Sequence, residues 1–91
     1  MAITVRIPTQ LRSLSGGASE VAVEGNTVAE VLAALDAVHP GFNDRLHDEG
    51  GKLRRFVNVF VADEDIRFLD GVDTKVKDGE TLSIVPAVAG G

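Results

Sequence analysis

One stretch of this chain carries a helical apolar stripe, and alternating apolar stretches flank it on both sides. Val28, Val31, Leu32, Leu35 and Val38 recur at the spacing of one helix face. Thr27 followed by Glu30 fits a capping box, in which hydroxyl and carboxylate satisfy orphan N–H groups. Pro40-Gly41 ends the helix. Before it, Ile3, Val5 and Ile7 alternate with Thr4 and Arg6, and Pro8 closes that strand. Val21 and Val23 alternate with Glu20, Ala22 and Glu24. With a turn at Gly16-Gly17, these two strands read as an antiparallel hairpin with a long connection.

After the helix, Phe42 to Lys52 is polar and reads as a loop, with one short turn around Asp44 to Leu46. Phe56 to Val61 is the clearest strand. Val57, Val59 and Val61 share one face; Phe56, Asn58 and Phe60 share the other. Asp63-Glu64-Asp65 reads as a turn, and Ile66-Arg67-Phe68 as a short strand. Lys77-Asp78-Gly79-Glu80 is a turn whose Asp-Gly supplies a positive φ, and Thr81 to Val85 is the last strand. One helix and one sheet in the order β-β-α-β-(β)-β make a two-layer α+β domain, with the first and last strands central.

The chain has 91 residues, 44% of them hydrophobic and 25% charged, enough for one core and an ordinary surface. No apolar run approaches the ~18 residues of a membrane span, and the start has no signal-like segment, so a cytoplasmic location is expected. There is no cysteine, which excludes disulfides, cysteine nucleophiles and iron–sulfur ligation. A net charge of −5, no Trp or Tyr and only four Phe argue against a nucleic-acid partner. Lys52-Arg54-Arg55 is a local basic cluster only.

No autonomous active site is legible. His39 and His47 match no metal spacing and suit solvated or capping roles. Asp63-Glu64-Asp65 lacks the spaced oxygens of a calcium loop. Neither a nucleophile elbow nor a phosphate-cradling loop is present.

What remains is the end of the sequence. The apolar run Thr81 to Ala89 leads into Gly90-Gly91. Glycine lacks Cβ and lets another protein's walls approach the backbone closely, so such an end suits insertion into a narrow active site. Pairs at Gly16-Gly17 and Gly50-Gly51 make the dipeptide alone a weak signal; its position after a strand carries the argument. A free α-carboxylate, pKa ~3.5, is ionised at neutral pH and a poor electrophile. It needs activation, for example as an acyl-adenylate made by a partner that uses ATP. It then accepts sulfur to become a thiocarboxylate, or an amine to become an amide.

The helix start Thr27-Val28-Ala29-Glu30-Val31-Leu32, the turn Lys77 to Glu80, the strand Thr81 to Val85 and the tail Pro86-Ala87-Val88-Ala89-Gly90-Gly91 resemble the ubiquitin-like sulfur carriers. That family includes the small subunit of molybdopterin synthase and the thiamine-pathway sulfur carrier. The similarity covers nearly the whole chain except Pro40 to Leu53. The tail, with Arg55 to Val61 and Asp63 to Arg67, looks most like the actinobacterial branch that serves cysteine biosynthesis.

The resemblance implies an α+β β-grasp fold, with a domain over residues 1–86 and a flexible tail over 87–91 that spans at most ~16 Å when extended. It implies that Gly91 carries sulfur as a thiocarboxylate, and that Pro86, Ala87, Val88, Ala89, Gly90 and Gly91 enter partner enzymes. The implied partners are an ATP-using adenylating sulfurtransferase, a pyridoxal-phosphate cysteine synthase and a metallopeptidase that releases cysteine. Cofactors belong to those partners, and this chain is not itself an enzyme. Two alternatives stay open: a molybdopterin-synthase subunit, and a protein modifier joined to targets through Gly91. Phe56, Asn58 and Phe60 are expected to form a partner face, unless the loop from Phe42 to Lys52 covers them.

Overall fold

The computed structural model describes residues 2–47, 49–50, 53 and 57–86. Strands β1 (Ala2–Arg6), β2 (Glu20–Glu24), β3 (Val57–Val61), β4 (Glu64–Asp65) and β5 (Thr81–Pro86) form one sheet in the order β2-β1-β5-β3-β4. Helices α1 (Val28–Val38) and α2 (Phe42–Leu46) follow β2, and single 3₁₀ turns occupy Thr9–Leu11, Ile66–Phe68 and Gly71–Asp73. β1 pairs antiparallel with β2 and parallel with β5, which pairs antiparallel with β3. The parallel pair needs a long crossover. Helix α1 lies within that crossover.

Register follows the apolar pattern. Ile3 lies opposite Val23, Val5 opposite both Val21 and Leu82, and Val59 opposite Ile84. A one-residue slip would turn these side chains to solvent. Ile3, Val5, Leu82 and Ile84 are buried in one cluster with Val28, Val31, Leu32 and Leu35 from α1.

Local chemistry fixes the ends of α1. Thr27 Oγ1 accepts from Glu30 N at 3.2 Å, and Glu30 Oε1 accepts from Asn26 N at 2.9 Å. The reciprocal cap is present, with the carboxylate reaching one residue further back than in the usual box. Gly25 is packed so closely that a Cβ there would lie 2.9 Å from Val31 N. The turn Lys77–Glu80 is stitched to β1: Asp78 Oδ1 accepts from Ala2 N at 2.8 Å, and Gly79 N donates to Ala2 O at 2.9 Å. Gly79 has φ +86° there, as the Asp-Gly pair predicts.

Four expectations change. Val38 is 58% exposed and lies outside the buried stripe. At about 100° per residue it falls at the stripe's edge, on the last turn of α1. The polar stretch after Gly41 is not simply loop. Its helix α2 sends Phe42 and Leu46 into the core, with exposures of 0% and 1%. Asp36 Oδ1 holds its start by accepting from Gly41 N and Asn43 N. Ile66–Phe68 is a 3₁₀ turn rather than a strand, because the Asp65 carboxylate accepts from Arg67 N at 2.9 Å and caps it. The reversal sits on Ala62 and Asp63, both at positive φ, and Glu64–Asp65 already pairs with β3 as a two-residue strand.

Candidate functional site: the outgoing strand and the open sheet face

β5 sits between β1 and β3, but not along its whole length. Its pairing with β1 ends at Arg6↔Ser83, whereas pairing with β3 continues through Asn58↔Val85 to Val57↔Pro86. The outgoing end of β5 therefore overhangs β1. A shallow recess of about 440 Å³ opens beside the overhang, lined by Arg6, Pro8, Gln10, Arg12, Ser83 and Val85 among others. Arg12 is fixed there by donating from Nε to Ile7 O at 3.2 Å, and Arg6 lies 3.6 Å from Glu20. Pro86 closes the strand. The other tail residues assigned from sequence, Ala87, Val88, Ala89, Gly90 and Gly91, lie outside the described residues.

Alternation along β3 sorts its side chains as expected. Val57, Val59 and Val61 are buried, while Asn58 and Phe60 are half-buried on the opposite face. Phe56, the third residue of that expected face, lies outside the described residues. Phe60 stands opposite Ser83 on β5 and Asp65 on β4, and Asn58 stands opposite Val85. Val85 is 43% exposed. Helix α2 packs on α1, and Phe42 and Leu46 fill the core. They are spent there rather than over Phe60.

Asn58 carries a feature the sequence did not reveal. Its Oδ1 is buried and has no hydrogen-bond partner among the described residues. Nearly every buried polar atom in a native fold is paired, so an orphan on a sheet face calls for an explanation.

His39 and His47 are the C-cap residues of α1 and α2. The His39 ring meets Phe42 edge-on at 6.5 Å, and His47 Nδ1 lies 3.3 Å from Asn43 O. Both histidines serve helix ends, as expected. Among the described residues, no three His, Cys, Asp or Glu side chains converge on a metal position. No described helix is long and apolar enough to cross a membrane.

This layout, a mixed sheet packed on one principal helix with its central strand running out to the tail, has a known counterpart. The sequence pattern of the ThiS family matches residues 5–91. The chain belongs to the ThiS family. It is 47% identical over 93 residues to the sulfur carrier protein CysO of Mycobacterium tuberculosis, with the whole of both chains covered. A chain in the crystal structure of the Amycolatopsis orientalis BexX/CysO complex matches with a TM-score of 0.92 at 51% identity, over 99% of this chain and 100% of that one. The crystal structure of Mycobacterium tuberculosis CysO matches with a TM-score of 0.90 at 45% identity, over 94% of this chain and 99% of that one. The fold is the ubiquitin-like β-grasp, and the family is one of sulfur carriers rather than catalysts.

Proposed function

We propose that this chain carries sulfur on Gly91 and delivers it for cysteine synthesis. The observation that carries this reading is the family match through Gly91, joined to relatives aligned end to end that are sulfur carriers. The overhang of β5 supports it, because a strand that outruns its neighbour hands the chain to a partner without disturbing the sheet.

The chemistry follows from the carboxylate. A partner enzyme transfers AMP from ATP to the Gly91 carboxylate and releases pyrophosphate. A sulfur nucleophile attacks the acyl carbon, AMP leaves, and a thiocarboxylate remains. Sulfur is more nucleophilic than oxygen, so the product bonds carbon readily where the carboxylate would not. The thiocarboxylate sulfur bonds the side-chain carbon of an activated serine on a pyridoxal-phosphate cysteine synthase as the serine's leaving group departs, and the thioester so formed shifts to the neighbouring amine as an amide. The resulting cysteine is still acylated by the tail, and hydrolysis by a metallopeptidase frees it and restores Gly91. In this scheme the β-grasp domain supplies recognition, Pro86 to Gly90 supply reach, and all cofactors sit in the partners, in the cytoplasm.

The test is incubation of the chain with ATP, sulfide and the adenylating enzyme, read by intact mass. The expected product is heavier by one sulfur less one oxygen. Deletion of Gly90 and Gly91 is expected to abolish loading and to change stability by less than ~0.5 kcal/mol, since two glycines bury little apolar surface. Loading that survives the deletion would refute the assignment. Heavier conjugates in cells, formed through Gly91 and lost with the same deletion, would favour a protein modifier.

A further inference from the structure

Phe68 is 87% exposed, far beyond the other large apolar side chains that reach solvent among the described residues, and its neighbour Leu69 is 40% exposed. A lone exposed aliphatic residue needs no explanation. Phe68 differs because its turn is fixed from several sides. Asp65 accepts from Arg67 N at 2.9 Å and from the Arg67 guanidinium at 3.3 and 3.4 Å. Leu69 N donates to Ile66 O at 3.0 Å. Ile66, two residues before Phe68, is buried at 2%. Beyond Leu69, Asp70 N donates to Oγ1 of the buried Thr74 at 3.0 Å. The aromatic ring is held out into water on a turn that loses little freedom on binding, and that lowers the entropic cost of association.

The surroundings state what kind of surface fits the knob. Asp63, Glu64, Asp70 and Asp73 neighbour it along the chain, all exposed, and the cation among them, Arg67, is engaged by Asp65. A complementary surface is an apolar socket with a Lys- and Arg-bearing rim. A second copy of this chain brings the same carboxylates to a two-fold contact, on a molecule of net charge −5.

We infer that Phe68 and Leu69, with this acidic collar, dock the carrier on its ATP-using activating enzyme. The choice of occupant rests on the sulfur-carrier reading. An enzyme that brings ATP to a carboxylate handles two anions, and the mouth of its site is basic for that reason. The topology agrees. β4 and β5 are both antiparallel to β3, so β4 leads into the knob in the direction in which β5 leads into the tail.

The test uses full-length chain, the activating enzyme, ATP and sulfide, with loading measured at low and physiological salt. Phe68→Ala is expected to raise KM about tenfold or more with kcat unchanged, because an anchor is lost while the tail chemistry is intact. Phe68→Leu is expected to restore part of the loss. Asp70→Asn with Asp73→Asn is expected to raise KM and flatten its salt dependence. The double variant keeps the fold testable should Phe68→Ala unfold. A wild-type KM in Phe68→Ala overturns the proposal. So does a wild-type dimer in sedimentation that Phe68→Ala converts to monomer, since the occupant would then be a second copy. If wild-type chain is never loaded, the carrier reading fails and the choice of occupant fails with it. Loading of wild type without loss in either variant removes the docking knob alone.

Discussion

The orphan oxygen of Asn58 distinguishes function from stability at a single position. A buried acceptor without a donor costs about 1–3 kcal/mol relative to a paired one. Val is a better strand former than Asn and leaves no polar atom behind. Asn58→Val is therefore expected to raise stability by about 1 kcal/mol, read as a shift of the urea midpoint at constant m-value. The same change is expected to weaken binding to the activating enzyme or the sulfur acceptor, if a donor from a partner normally completes Asn58 Oδ1. Higher stability with unchanged affinity for both would remove Asn58 from the partner face. The sequence placed Asn58 on the solvent side of β3 by alternation alone. It gave no sign of the missing partner, because satisfaction of a polar atom depends on what neighbouring strands bring to it.

Among the elements, α2 is the one whose weight in the fold exceeds its length. Its five residues carry two of the most deeply buried side chains, Phe42 and Leu46. Removing the Phe42 ring deletes a large buried group and leaves a void, so Phe42→Ala is expected to cost about 3–5 kcal/mol. Small domains have about 5–15 kcal/mol in total, so most of the molecules in mild denaturant should unfold. Calorimetry or a denaturant titration checks this; a loss below about 1 kcal/mol would mean that the core closes over the gap. The helix was illegible because five residues cannot display an amphipathic period, and Asn43, Asp44 and Arg45 lie between the two apolar anchors. The signal that existed was the i, i+4 spacing of Phe42 and Leu46 behind a helix-ending Pro40-Gly41. By contrast α1 and the hairpin were legible because caps, alternation and turn glycines agreed with one another. The Ile66–Phe68 turn went the other way: its β-like residues are overruled by one side-chain cap from Asp65.

At the scale of the whole molecule, the proposed function divides the work between the domain and the tail. The sheet holds β5 between two partners along Leu82 and Ser83 and by one partner beyond, so load applied to the end is resisted by the central strand. In the proposed reaction two residues without side chains, Gly90 and Gly91, present the reacting carbonyl. A side chain at the penultimate position widens the tail, and a β-branched one also restricts its backbone. Gly90→Val is therefore expected to leave the fold unchanged and to block adenylation. The domain's contribution to binding is separate, so the variant should still occupy the activating enzyme through its folded surface. It should then act as a competitive inhibitor of wild-type loading, with an inhibition constant near the wild-type Kd. Pyrophosphate release by the variant checks the first part, and a mixed titration checks the second. Normal adenylation of Gly90→Val would show that no narrow passage surrounds the tail. Blocked adenylation without inhibition would show instead that the tail, and not the folded domain, supplies most of the affinity.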